Sequence, residues 1–128
     1  MNRWIIAFSG LFGACAVSLG ALGAHLWKSQ LTPEAYGVLT TALSYLLVHA
    51  VVLLLAGILV RQTPGNVWFK ISALLFAVGI ILFCGGLILR SVTGLAELAR
   101  GAPYGGIALI FGWLTIGLGG IVWRSDAT

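Results

Sequence analysis

The chain has 128 residues, of which 60% are hydrophobic and 8% charged, with a mean hydropathy of +1.09. Soluble domains carry roughly 25% charged residues, so these residues cannot furnish a water-exposed surface. The net charge of +4 is seven Lys and Arg against three Asp and Glu, and the scatter of the cations along the chain excludes the basic patch that nucleic-acid binding needs.

The charges cut the chain into four uncharged runs, residues 4–27, 35–60, 71–89 and 101–123. A helix of about 20 apolar residues crosses a ~30 Å hydrocarbon slab, so each run is about one bilayer long. They predict spans at about 4–27, 34–60, 68–90 and 103–123 within a single transmembrane domain. Connections this short make neighbouring helices antiparallel. The expected fold is all-α, an integral membrane four-helix bundle running up-down-up-down in the lipid bilayer.

The first run follows Met1-Asn2-Arg3 and so mimics a signal peptide. It is longer than the apolar core of 7–15 residues usual there, and it is expected to be a true first span. Ser9-Gly13 and Ala16-Gly20-Ala24 draw small stripes down it, which permit close helix approach. His25 lies near its far end. Cys15 here and Cys84 in the third span belong to no CxxC or Cys/His cluster, so a disulfide or metal role is not expected.

Thr32-Pro33-Glu34 has the form of an N-cap, a proline at the first helical position and an acid in the first turn, so the second span should start near Pro33. It carries the main polar constellation: Thr41, Tyr45 and His49 at four-residue spacing, with Ser44 beside them. His49 lies some 20 Å inside the boundary, His25 only ~5 Å. That difference forbids both from ligating one haem or metal in a single chain. Unsatisfied polar atoms are costly at such depth, so His49 must face the interior and find a partner. An ordinary register-fixing histidine and an intramembrane functional site both fit.

Gln62-Thr63-Pro64-Gly65-Asn66 is a turn cluster closing the second span and opening the third. Gly79, Gly85 and Gly86 smooth the third span, Thr93-Gly94 ends it, and Arg90 can snorkel to the interface. Leu95 to Ala99 should form a short interfacial turn before Gly101-Ala102-Pro103 starts the fourth span. There Gly105 and Gly106 open the helix, Ala108-Gly112 continues a small-residue stripe, and Trp113 sits at depth. Trp4, Trp27, Tyr36, Trp68, Tyr104 and Trp123 fall at span ends, as aromatic belts do.

Arg3, Arg61, Lys70, Arg124 and the amino terminus fall on one side, Lys28, Arg90 and Arg100 on the other. The count places both termini in the cytoplasm by a margin of one residue, with the bacterial inner membrane as the setting. Glu34, Glu97 and Asp126 all lie outside the spans, so the acidic relays of pumps are missing. No catalytic constellation, cofactor motif or metal-ligand set stands out, and no enzymatic activity is expected. The glycines favour a non-enzymatic bundle acting as an accessory subunit or homo-oligomer in a larger membrane complex. The alternative is binding or transport of a small molecule, lipid or proton along Thr41, Ser44, Tyr45 and His49. A haem or copper centre on His49 would need an exogenous ligand.

Several segments together resemble one family, the small four-span membrane proteins called domain of unknown function 423, whose eukaryotic relatives are called transmembrane protein 256. They are Gly20-Ala21-Leu22-Gly23-Ala24-His25, Thr41-Ala42, Tyr45, His49-Ala50, Phe83-Cys84-Gly85-Gly86, Thr93-Gly94, Pro103, Gly105-Gly106 and Gly112-Trp113. The resemblance covers essentially the whole chain. It implies a four-helix membrane protein with His25, Tyr45, His49 and Trp113 as signature positions, and no established activity. Where Cys84 and Gly86 stand the family usually has serine, and where Arg90 stands an apolar residue.

Overall fold

The computed structural model describes residues 1–124; Asp126 lies outside them. Among the described residues four helices are long and apolar enough to cross a membrane. They are α1 (Asn2–Gln30), α2 (Pro33–Gln62), α3 (Val67–Thr93) and α4 (Ala102–Val122). A short 3-10 turn, Ala96–Ala99, precedes α4. The expected all-helical architecture, with four helices of bilayer length, is present among the described residues. At 1.5 Å per residue the 30-residue α2 is about 45 Å long, so it must tilt or project beyond the hydrocarbon.

Local chemistry sets the ends. Thr32 Oγ1 accepts the Ala35 N–H at 3.1 Å, ahead of Pro33 at the helix start. The Asn66 side chain caps α3 by accepting the Trp68 N–H at 3.1 Å, and its amide donates to the Gly119 carbonyl at 2.9 Å. One residue thus caps α3 and ties the α2–α3 connection to the end of α4. Asn66→Ala should cost about 2 kcal/mol, roughly one for the cap and one for the bridge. Thermal unfolding in mild detergent measures this, and an unchanged midpoint would contradict the double role. Gly94 ends α3 in the left-handed conformation, φ 75°, its N–H bonded to the Arg90 carbonyl, a geometry that favours glycine.

Two helices loosen internally to π-type turns, over Gly23–Trp27 in α1 and Ile80–Gly85 in α3. Such bulges often mark functional stretches. These two overlap the Gly-Ala-Leu-Gly-Ala-His and Phe-Cys-Gly-Gly segments, at residues 23–25 and 83–85.

The helices pack in chain order: α1 on α2, α2 on α3, α3 on α4. The α3–α4 seam is a ladder of phenylalanine into glycine. Phe69, Phe76 and Phe83 recur every seven residues on α3, and Gly105, Gly112 and Gly119 do so on α4. Antiparallel pairing sets them opposite one another. A Cβ on Gly119 would meet the Phe69 ring at 2.5 Å, and one on Gly112 the Phe76 ring at 2.8 Å. At the third step the π-turn changes the phase of α3. There Gly105 faces the Leu82–Phe83 backbone and Leu82 Cβ, while the Phe83 ring turns to Tyr45 of α2, centroids 5.0 Å apart. Gly79 reverses the roles, receiving Leu109 of α4. In a membrane such close approach, not hydrophobic exclusion, holds helices together. A seven-residue repeat winds a pair left-handedly.

The seam is also satisfied in its polar atoms. Ser72 Oγ donates across it to the Gly112 carbonyl at 3.0 Å, an acceptor shared with Thr115 Oγ1. Ser9 and Ser91 donate to carbonyls within their own helices. No buried side-chain nitrogen or oxygen among the described residues lacks a partner, as a hydrocarbon surround demands.

α1 differs from the rest. Only 11% of its most apolar stretch is buried, against 50% for α2. Its inner face carries Ser9, Ala16 and Gly23. Ile5 and Ile6 meet Gly57 of α2, where a Cβ would lie 2.9 Å from Ile5. Contact between α1 and α4 is marginal at most, so the bundle is open on that side.

Candidate intramembrane polar site

His49 sits midway along α2, in a stretch of leucine, valine and alanine that offers the backbone no reason to leave the helix. The turn of α2 puts it towards α3 and α4, where it is only 6% exposed. Its Nδ1 lies 2.8 Å from the Tyr45 carbonyl one turn earlier. The indole N–H of Trp113 donates to its Nε2 at 3.2 Å. A carbonyl only accepts and an indole only donates, so both bonds are made by the Nδ1–H tautomer of uncharged imidazole. A second proton on Nε2 would face the indole N–H, donor against donor.

Rings close the cage. Tyr45 stacks on His49 at 5.7 Å and 14°. Phe76 approaches at 5.9 Å, and Trp113 stands edge-on at 6.1 Å. Phe76 and Trp113 also meet edge to face at 5.5 Å, and such pairs add about 0.5–1.5 kcal/mol beyond burial. α2 and α4 make little backbone contact, so the indole–imidazole bond is a principal tie between them. It fixes the rotation of both helices about Phe76.

The expected polar face divides. Tyr45 is 45% exposed and Thr41 and Ser44 are exposed too, with the Ser44 hydroxyl bonded to the Thr40 carbonyl at 2.9 Å. His49 alone of the four points inward. The four therefore do not converge on one cavity, and none of the principal grooves has any of them in its wall. His25 is exposed within the π-turn of α1 and is no partner of His49. Gly105 is buried in the α3–α4 seam, and Gly106 lies beside the Phe83 ring. Trp113 is drawn into the site, although it remains 48% exposed at its outer edge.

Phe76 was not singled out by residue type, because phenylalanine in an apolar span carries no polar signal. Its seven-residue spacing from Phe69 and Phe83, set against the glycines of α4, is the pattern that could have found it. Among the described residues no three or more His, Cys, Asp or Glu cluster closely enough to hold a metal ion.

A family model described as "Protein of unknown function (DUF423)" matches residues 19–106, a stretch containing His49 and most of the quoted signature segments. The chain belongs to the DUF423 family. Curated relatives of this DUF423 chain include the UPF0382 inner membrane protein YgdD of Escherichia coli K12, 28% identical over 94% of this chain and 91% of that protein. The UPF0382 membrane protein YwdK of Bacillus subtilis is 34% identical over 79% of this chain and 82% of its own length. The UPF0382 membrane protein SSP2132 of Staphylococcus saprophyticus is 34% identical over 89% and 93%. No solved structure matches. The DUF423 chain is thus an integral membrane protein of a family without an established activity. His49 and Trp113, quoted above from separate segments, are joined by one hydrogen bond.

Proposed function

We propose that this protein is a non-catalytic helical bundle of the bacterial inner membrane. In this proposal both termini are cytoplasmic, and it assembles side by side with copies of itself or with a larger membrane complex through the outer face of α1. The one-sided burial of α1 carries this reading. Gly10, Gly13 and Gly20 would each accept a Cβ with nothing within 4 Å, so they do no packing work inside the monomer. Gly10 and Gly13 line a groove of about 310 Å³ shared with Leu47, Val51 and Leu54 of α2, shaped for a further helix at close backbone approach. The relative YgdD, an inner membrane protein by name, supports the inner membrane, and the one-residue Lys/Arg margin supports the orientation. The buried histidine, fully bonded and caged by rings, acts in this reading as a register lock rather than as a reacting group.

Native mass spectrometry in mild detergent tests the assembly. The wild type is expected as multiples or with a copurifying membrane subunit. Gly13→Leu should release the partner while unfolding within about 0.5 kcal/mol of wild type, because a Cβ there has nothing within 4 Å and the rest of the side chain enters an open groove. A strictly monomeric, partnerless wild type overturns the proposal.

A further inference from the structure

On the other side of α1 the open bundle leaves a second groove, unrelated to the glycine face. It lies between the first turns of α1 and the start of α3, holds about 450 Å³, and is floored by Leu53 of α2. Its walls are Trp4 and Phe8 from α1, and Leu74 and Ala77 from α3. Lys70 lines the same groove at the α3 end, where the span meets the headgroup level. The Arg3 guanidinium lies 5.5 Å from the ring centroid of Trp4, a residue of the groove wall. From Lys70 to Ala77 the wall runs seven residues, about 10 Å, so it reaches most of the way through one ~15 Å leaflet. The acids Glu34 and Glu97 belong to the opposite end of the bundle.

We infer that this groove is a binding site for an anionic phospholipid of the leaflet on the Lys70 side. One acyl chain lies along Phe8, Leu74 and Ala77, and the phosphate sits between Lys70 and Arg3. The occupant follows from the chemistry. The slot is apolar along its length and opens to the bilayer, which selects an acyl chain. Lys70 in its lining and Arg3 over the Trp4 indole put two cations near the end of the groove at the headgroup level, which selects negative charge. Basic pockets between spans hold acidic headgroups in this way.

The protein is to be purified in mild detergent and offered phosphatidylglycerol and phosphatidylcholine with identical acyl chains, and retained lipid read by native mass spectrometry. Phosphatidylglycerol should be retained in about fivefold or greater excess, and Lys70→Gln should lower that ratio roughly fivefold, the increment of one basic group near an anionic surface. Arg90→Gln, at the exposed far end of α3, should leave the ratio unchanged. Leu74→Trp should fill the slot and abolish retention; Leu74 is 64% exposed, so the fold tolerates the change. Equal retention of the two lipids, an Arg90→Gln effect as large as that of Lys70→Gln, or undiminished retention in Leu74→Trp overturns the assignment. So does loss of a protein partner, rather than of lipid, on Leu74→Trp, which would make the groove a helix-docking site.

Discussion

Gly112→Leu is expected to destabilise the protein by about 3 kcal/mol or more. Overfilling a close-packed contact commonly costs about 1–3 kcal/mol, occasionally more. Here the first added carbon alone would fall 2.8 Å from the Phe76 ring. The same position supplies the carbonyl shared by Ser72 and Thr115, so separating the helices also strains two hydrogen bonds. Phe76→Ala should itself cost about 3–5 kcal/mol by leaving a cavity. Combined, the two changes should be far less damaging than their sum, because the leucine enters the space the ring has left. Gly117→Leu, on the same helix but with open space around it, should shift stability by no more than about 0.5 kcal/mol. Denaturant titration in mild detergent reads all four proteins. Equal losses for the two leucine variants would show that the helix resents leucine, not that the seam does.

His49→Ala is expected to cost about 2–4 kcal/mol, from the cavity among three rings and from an indole N–H left without an acceptor. His49→Gln, which can still accept from Trp113, should recover part of that loss. The decisive measurement is the cycle pairing His49→Ala with Trp113→Phe. Hydrogen bonds between membrane helices average about 0.6 kcal/mol and reach about 1.7, so a coupling near 1 kcal/mol is expected. A coupling of zero would mean that the ring stacking, not the hydrogen bond, holds α2 against α4.

How far the fold was legible differs between its axes. Depth was legible, because charges are costly in hydrocarbon and the turn signals of this chain lie beside its charges. That is why Thr32-Pro33, Gln62 to Asn66 and Thr93-Gly94 fall where the helices break. Rotation was not. α2 is apolar nearly all round, so four-residue spacing could place Thr41, Tyr45 and His49 along one stripe without saying which part of the stripe faces inward. The need to satisfy His49 did predict that it would turn inward, but Thr41 and Ser44 can bond their own helix and face lipid at no such cost. The glycines were ambiguous for a related reason. A glycine used as a socket at Gly112 and one left open at Gly13 look alike until the facing helix is known. The Phe69–Phe76–Phe83 and Gly105–Gly112–Gly119 spacings are each visible alone, but they acquire meaning only when an antiparallel register sets ring against socket.

Only Leu31 and Thr32 separate α1 from α2. Two extended residues span ~7 Å, so α1 and α2 turn back on each other as antiparallel neighbours. The first two helices thus enter the bundle as one packed hairpin, and α1 reaches the rest of the molecule almost wholly through α2.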